Sequence, residues 1–244
     1  MGCRTIKGSL AIDGLTFDAE THTYTYCGHV LQSATEVVGK FKTPFNADYQ
    51  AYRMAGTGKY VGMTKGEVLA QWETTRNEAA DKGTKVHEWA QDIASVGPSV
   101  AVPPDDPDVG YWYQLRQFWT DHGDLRPVAL EQIVAMPVWG VAGTFDALAR
   151  DSAGESYLID YKTNKEFDLE GYRKLRKPLT FMRESDIDIY SLQLALYEYM
   201  LGNVDHKWIV HVEEDAYTVY VASHVDPAHV EAMLTDTRYR YRPS

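Results

Sequence analysis

The first part of the chain changes its pattern of apolar and polar residues twice. Residues 15–31 are rich in Thr, Tyr and Phe around an interior Cys-Gly pair, which is typical of a β-hairpin. Ser33 and Glu36 then form a capping-box pattern, in which each side chain satisfies a free backbone N–H at a helix start. Residues 43–65 mix proline, glycine and aromatic residues, and their pattern assigns no element.

Helical periodicity is found over residues 74–94, 111–120 and 186–201, the last ending at Gly202. In the first of these helices, five residues recur at spacings of four, three, four and three: Arg76, Ala80, Gly83, His87 and Ala90. They share one face of the helix. Because alanine and glycine allow close packing, the stripe predicts that His87 points inward.

Five apolar runs predict strands: residues 130–137, 141–149, 157–163, 207–212 and 217–224. A polar turn at residues 151–154 joins the second and third as a hairpin. A short helix is expected over residues 227–234. The order of elements predicts an α/β fold, with a central mixed β-sheet flanked by α-helices and an N-terminal hairpin with helical elaboration.

The composition of the chain indicates how many domains it forms and in which kind of compartment we expect it. The 244 residues, 44% of them hydrophobic, suffice for a single domain over residues 1–244, with an N-terminal elaboration over 1–70 and a core over 74–234. Charges interrupt each apolar stretch before the roughly 20 residues of a membrane span, so we expect a soluble, cytoplasmic protein without a membrane partner. Cys3 and Cys27 are too few for a disulfide framework or an iron–sulfur cluster.

The net charge of −11 argues against broad electrostatic binding to nucleic acid, since such binding depends on cations that displace counterions from phosphates. Any nucleic-acid contact is therefore expected to be local. Two basic clusters could supply it: Arg173, Lys174, Arg176 and Lys177 in one loop, and Arg238, Arg240 and Arg242 with Tyr239 and Tyr241 at the C-terminus. A solvated loop and a frayed tail explain these clusters equally well.

Two aspartates are predicted to face each other inside the sheet. Side chains alternate along a strand, so Asp160 and Lys162 share a face. If Ala149 pairs with Tyr157, Asp146 lies opposite Asp160, with the two Cβ atoms about 5 Å apart. Facing carboxylates repel each other and are costly to bury. A divalent cation such as Mg²⁺ would resolve the conflict, and a plain salt bridge to Lys162 is the alternative.

Four motifs resemble the PD-(D/E)XK nuclease superfamily, in its RecB-like, phage-type exonuclease branch: Gly83-Thr-Lys-Val-His87, Gly143-Thr-Phe-Asp146, Leu158-Ile-Asp160-Tyr-Lys162-Thr163 and Gln193-Leu-Ala-Leu-Tyr197. The match covers roughly residues 76–201. Three further stretches resemble such exonucleases: His22-Thr-Tyr24, Ser33-Ala-Thr35, and Lys177-Pro-Leu ahead of Tyr190-Ser-Leu-Gln193. The resemblance implies a restriction-endonuclease-like core.

The resemblance also implies the roles of individual residues. One or two Mg²⁺ or Mn²⁺ ions would be held by His87, Asp146, Asp160 and the backbone carbonyl of Tyr161, and Lys162 would orient or help to deprotonate the attacking water. As a metal ligand His87 must be neutral, so metal affinity is expected to weaken below a pH of about 6.5. A satisfied structural histidine is the alternative.

Gln193 and Tyr197 lie four residues apart and share a helix face. The resemblance implies that this pair lies near the active site and the DNA backbone, and ordinary packing beside an apolar stripe is the alternative. Glu131, at the start of the preceding strand, could add an acidic group to the site, and a structural role is favoured for it.

The expected function is hydrolysis of DNA phosphodiester bonds with little sequence preference, because phosphate contacts carry no base information. The resemblance favours an exonuclease of phage-type replication, recombination or repair, in a bacterial or phage-infected cell, with phage or host recombination proteins as further partners. A structure-specific endonuclease is the close alternative. A non-cleaving DNA-binding subunit usually loses catalytic groups that this chain retains, and a small-molecule metallohydrolase would need zinc-type His/Cys clusters that it lacks.

Overall fold

A computed structural model of the chain describes residues 12–237. Its strands are β1 (Leu15–Asp18), β2 (Thr23–Tyr26), β3 (His29–Ser33), β4 (Arg126–Met136), β5 (Val141–Arg150), β6 (Ser156–Lys162), β7 (His206–Val212) and β8 (Tyr217–Val221). Its helices are α1 (Ala34–Gly39), α2 (Ala47–Met54), α3 (Lys65–Val96), α4 (Val109–Asp121), α5 (Asp186–Leu201) and α6 (Pro227–Thr237). None of the helices in this part of the chain has the length and apolar composition needed to cross a bilayer.

Within residues 12–237 the eight strands form one mixed sheet, in the order β1-β2-β3-β5-β6-β7-β8, with β4 pairing β5 outside this path. The antiparallel pairing of β4 extends along the whole of β5. The other edge of β5 is shared: β3 pairs with residues 141–142 in parallel, and β6 pairs with residues 147–150 antiparallel. Residues 143–146 lie in the gap between β3 and β6, which we call the fork.

Helices cover both faces of the sheet, which confirms the predicted α/β fold with a mixed sheet flanked by helices. α1, α5 and α6 pack on one face, and α3 and α4 pack on the other. Consecutive residues of β6 supply the two cores, because Leu158 packs toward α5 and Ile159 toward α4. The alternation continues to the end of the strand, so Asp160 and Lys162 face α5 while Tyr161 lies in the core under α3 and α4.

The N-terminal region holds one strand more than predicted. Residues 15–31 form the three strands β1 to β3, joined by two tight turns, and not a single hairpin. The Cys-Gly pair makes the second turn, with φ of 46° at Cys27 and 82° at Gly28. After it, α1 begins as predicted: Ser33 Oγ accepts the Glu36 N–H at 3.1 Å, and Glu36 Oε2 accepts the Ser33 N–H at 2.7 Å.

α3 begins at Lys65, nine residues before the predicted start, because Thr64 and Glu67 form a second capping box. Its 32 residues span about 48 Å. Only the second half lies on the sheet, through residues such as Val86 and Ile93. Arg76 and Ala80, predicted to face inward with His87, are exposed because the first half of the helix extends beyond the sheet and packs against α2 instead.

Candidate metal centre

The fork determines how Asp146 is held. β5 and β6 pair in the predicted register, with Ala149 opposite Tyr157. Their backbone pairing ends at Ala147 opposite Ile159, so it does not include Asp146. Beyond that point the strands diverge, so the N–H of Tyr161 has no β5 carbonyl to bond. Asp146 Oδ2 accepts this N–H at 2.6 Å. A buried carboxylate is therefore fixed where the two strands part.

A helix and a neighbouring strand bring two further ligand atoms to Asp146. His87 Nδ1, from α3, lies 3.3 Å from Asp146 Oδ1 and 3.8 Å from Oε1 of Glu131, which belongs to β4. One ligand atom from each of these three side chains lies within 4.8 Å of the other two. Glu131 has a φ of 44°, a left-handed conformation that is uncommon for a non-glycine residue within a strand. Such backbone strain is concentrated at functional sites.

Asp160, which is buried, and Lys162, which is partly buried, form an ion pair beside this group. Lys162 Nζ lies 2.7 Å from Asp160 Oδ2 and 4.6 Å from the centroid of the Tyr190 ring. Asp160 therefore has an internal partner. Among the described residues, the group close enough to share an ion is His87, Glu131 and Asp146, and the predicted role of Asp160 as a ligand stays a prediction. Sequence reasoning favoured a structural role for Glu131, and its φ of 44° has no signature in the residue pattern.

Two of the three carboxyl groups in the site have a cationic partner: Asp146 has His87, and Asp160 has Lys162. Glu131 is the third carboxyl group. Burial would lower the pKa of His87, but the Asp146 carboxylate outweighs it and raises that pKa to about 10. The same contact lowers the pKa of Asp146 despite its burial. Burial raises the pKa of Asp160 to about 6 against the attraction of Lys162, and burial also raises the pKa of Glu131. A bound divalent ion would supply positive charge for the third carboxyl group.

The donor set fits a divalent ion. Carboxylate oxygens suit Mg²⁺ and Mn²⁺, and the His87 imidazole suits transition ions, so the donor atoms are chemically compatible with a divalent ion. The N–H and C=O of one strand residue point toward the same neighbouring strand, so the Tyr161 carbonyl is expected on the Asp146 side as well. Its predicted role as a ligand is therefore compatible with the backbone.

Gln193 and Tyr197 of α5 close the site. Gln193 Nε2 lies 3.4 Å from Asp160 Oδ1 and 3.2 Å from the Tyr197 hydroxyl, so the predicted pair does reach the site. Tyr197 is only 3% exposed, and its ring fills the space in front of Gly143, which has no side chain. The Tyr197 side chain is buried and hydrogen-bonded to Gln193, and its predicted contact with DNA stays a prediction.

These side chains open into a pocket of about 200 Å³, and the N-terminal strands complete its wall. The Tyr24 hydroxyl is hydrogen-bonded to Thr144 in the fork at 2.9 Å, and His22 and Thr35 line the same wall. The sequence motifs singled out His22, Tyr24 and Thr35. No local pattern pairs Tyr24 with Thr144, since the contact joins residues 120 positions apart.

The predicted DNA-binding loop lies outside this pocket. Its four cations are exposed, and none forms an ion pair with a carboxylate of residues 12–237: Arg173, Lys174, Arg176 and Lys177. The Arg176 N–H donates to the Phe41 carbonyl at 2.8 Å, so the loop meets the C-terminal end of α1, whereas the pocket lies at its N-terminal end. The length of α1, about 9 Å, separates the two.

Some predicted residues lie outside the described part of the chain. They are Cys3 and the C-terminal basic cluster of Arg238, Tyr239, Arg240, Tyr241 and Arg242. Cys27 is described and lies exposed in the turn before β3.

Comparison with known proteins assigns no family to the chain. No protein-family model matches the sequence, and no curated protein matches it. One solved structure, described as the crystal structure of SSO0001, is similar over 84% of this chain and 73% of its own, with 16% sequence identity and a TM-score of 0.39. A likeness of this degree carries no argument about function.

Proposed function

We propose that this protein is a metal-dependent deoxyribonuclease, with exonuclease as its preferred mode, on a restriction-endonuclease-like core of the PD-(D/E)XK superfamily. The observation that carries the proposal is the convergence of the His87, Glu131 and Asp146 ligand atoms beside the Asp160–Lys162 ion pair, in one pocket at the fork. The four sequence motifs support the same assignment. We place its activity in the cytoplasm of a bacterial or phage-infected cell, in DNA replication, recombination or repair.

Different side chains of the site would bind the metal ion and stabilise the phosphodiester. The Mg²⁺ or Mn²⁺ ion would be held by His87, Glu131 and Asp146, with Asp160 and the Tyr161 carbonyl as adjacent oxygen donors. Held by these residues, the ion would supply a lowered pKa for bound water and positive charge against the charge that develops on the phosphate. Burial would lower the pKa of Lys162, but the neighbouring carboxylates raise it, so Lys162 stays protonated at neutral pH. Its ammonium group therefore orients and stabilises the phosphodiester instead of acting as a base.

The rest of the surface fits a substrate that is held mainly by its phosphates. The net charge of −11 leaves few places where a polyanion is attracted, and the exposed loop of residues 173–177 is one of them. Its cations would follow the DNA backbone without reading bases, so cleavage should show little sequence preference.

End-labelled linear DNA incubated with Mn²⁺, with Mg²⁺ or with EDTA tests the proposal. The parent should release labelled product only with metal, and Asp146→Asn and Lys162→Ala should each slow release by about 100-fold or more. Asp92→Asn, an exposed aspartate of α3, is the matched control and should keep parental activity. Equal degradation by parent and site variants would identify a contaminating nuclease and refute the proposal.

A covalently closed circular substrate separates the two modes of cutting. A strict exonuclease leaves the circle intact while it degrades linear DNA of the same sequence. Nicking of the circle would establish the endonuclease alternative. Metal-independent DNA binding without cleavage of either substrate would instead establish a non-cleaving DNA-binding subunit.

A further inference from the structure

A stripe of exposed aromatic side chains lies on α2, outside the candidate metal centre. Phe45, Tyr49 and Tyr52 recur at spacings of four and three, which places them on one side of the helix and its N-terminal extension. They are 70%, 53% and 72% exposed. The opposite side of α2 packs through Ala51 against Val68 of α3, so α2 is anchored. The Phe45 ring also contacts Trp72 of α3, with ring centroids 5.9 Å apart, and Tyr49 and Tyr52 face outward. We call Phe45, Tyr49 and Tyr52 the aromatic stripe.

The segment that carries the aromatic stripe is basic, although the whole protein is acidic. Residues 40–65 contain five cations and one acid, a net charge of +4: Lys40, Lys42, Arg53, Lys59 and Lys65 against Asp48. Asp48 is paired with Lys65 at 2.7 Å. The other four cations have no ion pair with a carboxylate in the described part of the chain. The Arg53 guanidinium lies 6.0 Å from the centroid of the Tyr49 ring, so charge and ring are presented together.

An open face of α1 connects this segment to the pocket. Thr35 lines the pocket, and Gly39 and Lys42 follow it at spacings of four and three, all of them exposed. A Cβ added at Gly39 would meet no atom within 4 Å, so no neighbouring group covers this face. The exposed basic loop of residues 173–177 reaches the same end of α1, through the hydrogen bond to the Phe41 carbonyl. This face ends at Lys42, three residues before Phe45 in the chain, and Thr43 between them donates to the Glu184 carboxylate.

We propose that the aromatic stripe and its flanking cations bind the single-stranded part of a nucleic acid whose backbone enters the metal centre. This inference rests on the proposed nuclease function. Unpaired bases of any sequence stack on exposed rings, whereas bases within a duplex have their faces covered by neighbouring base pairs. The cations contact phosphates.

Binding of a fluorescein-labelled oligodeoxythymidine of about 20 nucleotides, measured by anisotropy in EDTA, tests the stripe without cleavage. Replacing Tyr49 and Tyr52 together by alanine should weaken binding about fivefold or more for each ring. The Tyr49→Phe, Tyr52→Phe variant keeps both rings and should bind like the parent. Tyr113→Ala, an exposed tyrosine of α4, is the matched control and should also bind like the parent. Thermal denaturation checks that every variant is folded.

A blunt duplex of the same length shows whether the rings stack on unpaired bases. Its affinity should be unchanged by the double alanine variant. Unchanged affinity for the single strand, or equal loss for single strand and duplex, overturns the proposal. So does a parent that binds no oligonucleotide but self-associates through these tyrosines in sedimentation, because the stripe is then a protein interface.

The outcomes also keep this inference apart from the proposed nuclease function. A parent that binds the single strand through Tyr49 and Tyr52, but cleaves nothing with Mn²⁺, refutes the nuclease and leaves the single-strand surface standing. A parent that cleaves DNA with Mn²⁺, while the double alanine variant keeps parental affinity and parental rate on single strands, refutes the surface alone.

Discussion

Gly143 is a point where α5 packs directly on the sheet, and one added methyl group there tests the packing behind the metal centre. A Cβ on Gly143 would stand 2.7 Å from Cε1 of Tyr197 and 3.1 Å from its hydroxyl oxygen, and also 3.1 Å from the Cβ of Ala34. Tyr197 is 3% exposed and Ala34 is 1% exposed. Neither neighbour can move into solvent, so the backbone or α5 itself must shift.

The size of the effect follows from these contacts. Carbon atoms pack comfortably at about 3.5–4.0 Å, so relief of the 2.7 Å contact needs a displacement approaching 1 Å. Overpacking of this kind costs about 1–3 kcal/mol. We therefore expect Gly143→Ala to lower the free energy of unfolding by about 1–3 kcal/mol. Because Tyr197 is hydrogen-bonded to Gln193, the shift should also loosen the contact between Gln193 and Asp160.

Guanidinium denaturation followed by tryptophan fluorescence measures the change, in a double-mutant cycle with Tyr197→Leu. The smaller leucine removes the clashing ring atoms, so Gly143→Ala should cost little in that background and the coupling should be about 1 kcal/mol or more. Gly39→Ala, at an open helical position of α1, is the control and should be neutral or stabilising by up to about 1 kcal/mol. A Gly143→Ala protein within about 0.5 kcal/mol of the parent would refute the packing argument.

Three further predictions concern the metal centre and the helix that borders it. Asp146 raises the pKa of His87 to about 10, so the imidazole is protonated at neutral pH. Mn²⁺ binding should therefore release about one proton. The Mn²⁺ affinity should rise about tenfold per pH unit up to pH 10, whereas an unshifted histidine would make it level off near pH 6.5. Calorimetry in two buffers of different ionisation enthalpy measures the release, and pH-independent affinity would contradict it. Glu131→Gln should weaken Mn²⁺ binding by about tenfold or more, whereas the exposed control Glu170→Gln should not, and equal affinities would remove Glu131 from the site. Ser33→Ala breaks the capping box of α1 and should cost about 0.5–2 kcal/mol in thermal or chemical denaturation, and an unchanged stability would show that the cap contributes nothing.

Local patterns predicted those parts of the site that lie on single elements or on one hairpin. The turn at residues 151–154 sets the register of β5 against β6, and a register error of one residue would turn every side chain to the wrong face. Asp146, Asp160 and Lys162 were therefore predictable as neighbours. The capping box at Ser33 was also predictable, because its two hydrogen bonds involve residues three positions apart.

The sequence by itself determined the order of the main strands and helices, the register of the central hairpin and the faces of its charged residues, since all of these follow from interactions between near neighbours in the chain. Only the tertiary structure decided that the first half of α3 leaves the sheet and that Glu131 turns its carboxylate toward His87. It also decided that Tyr197 is buried against Gly143. These features depend on where the pairing of β3 and of β6 ends along β5, and on how closely α5 packs there. Such contacts join residues that are far apart in the chain, so they leave no periodic pattern in the sequence.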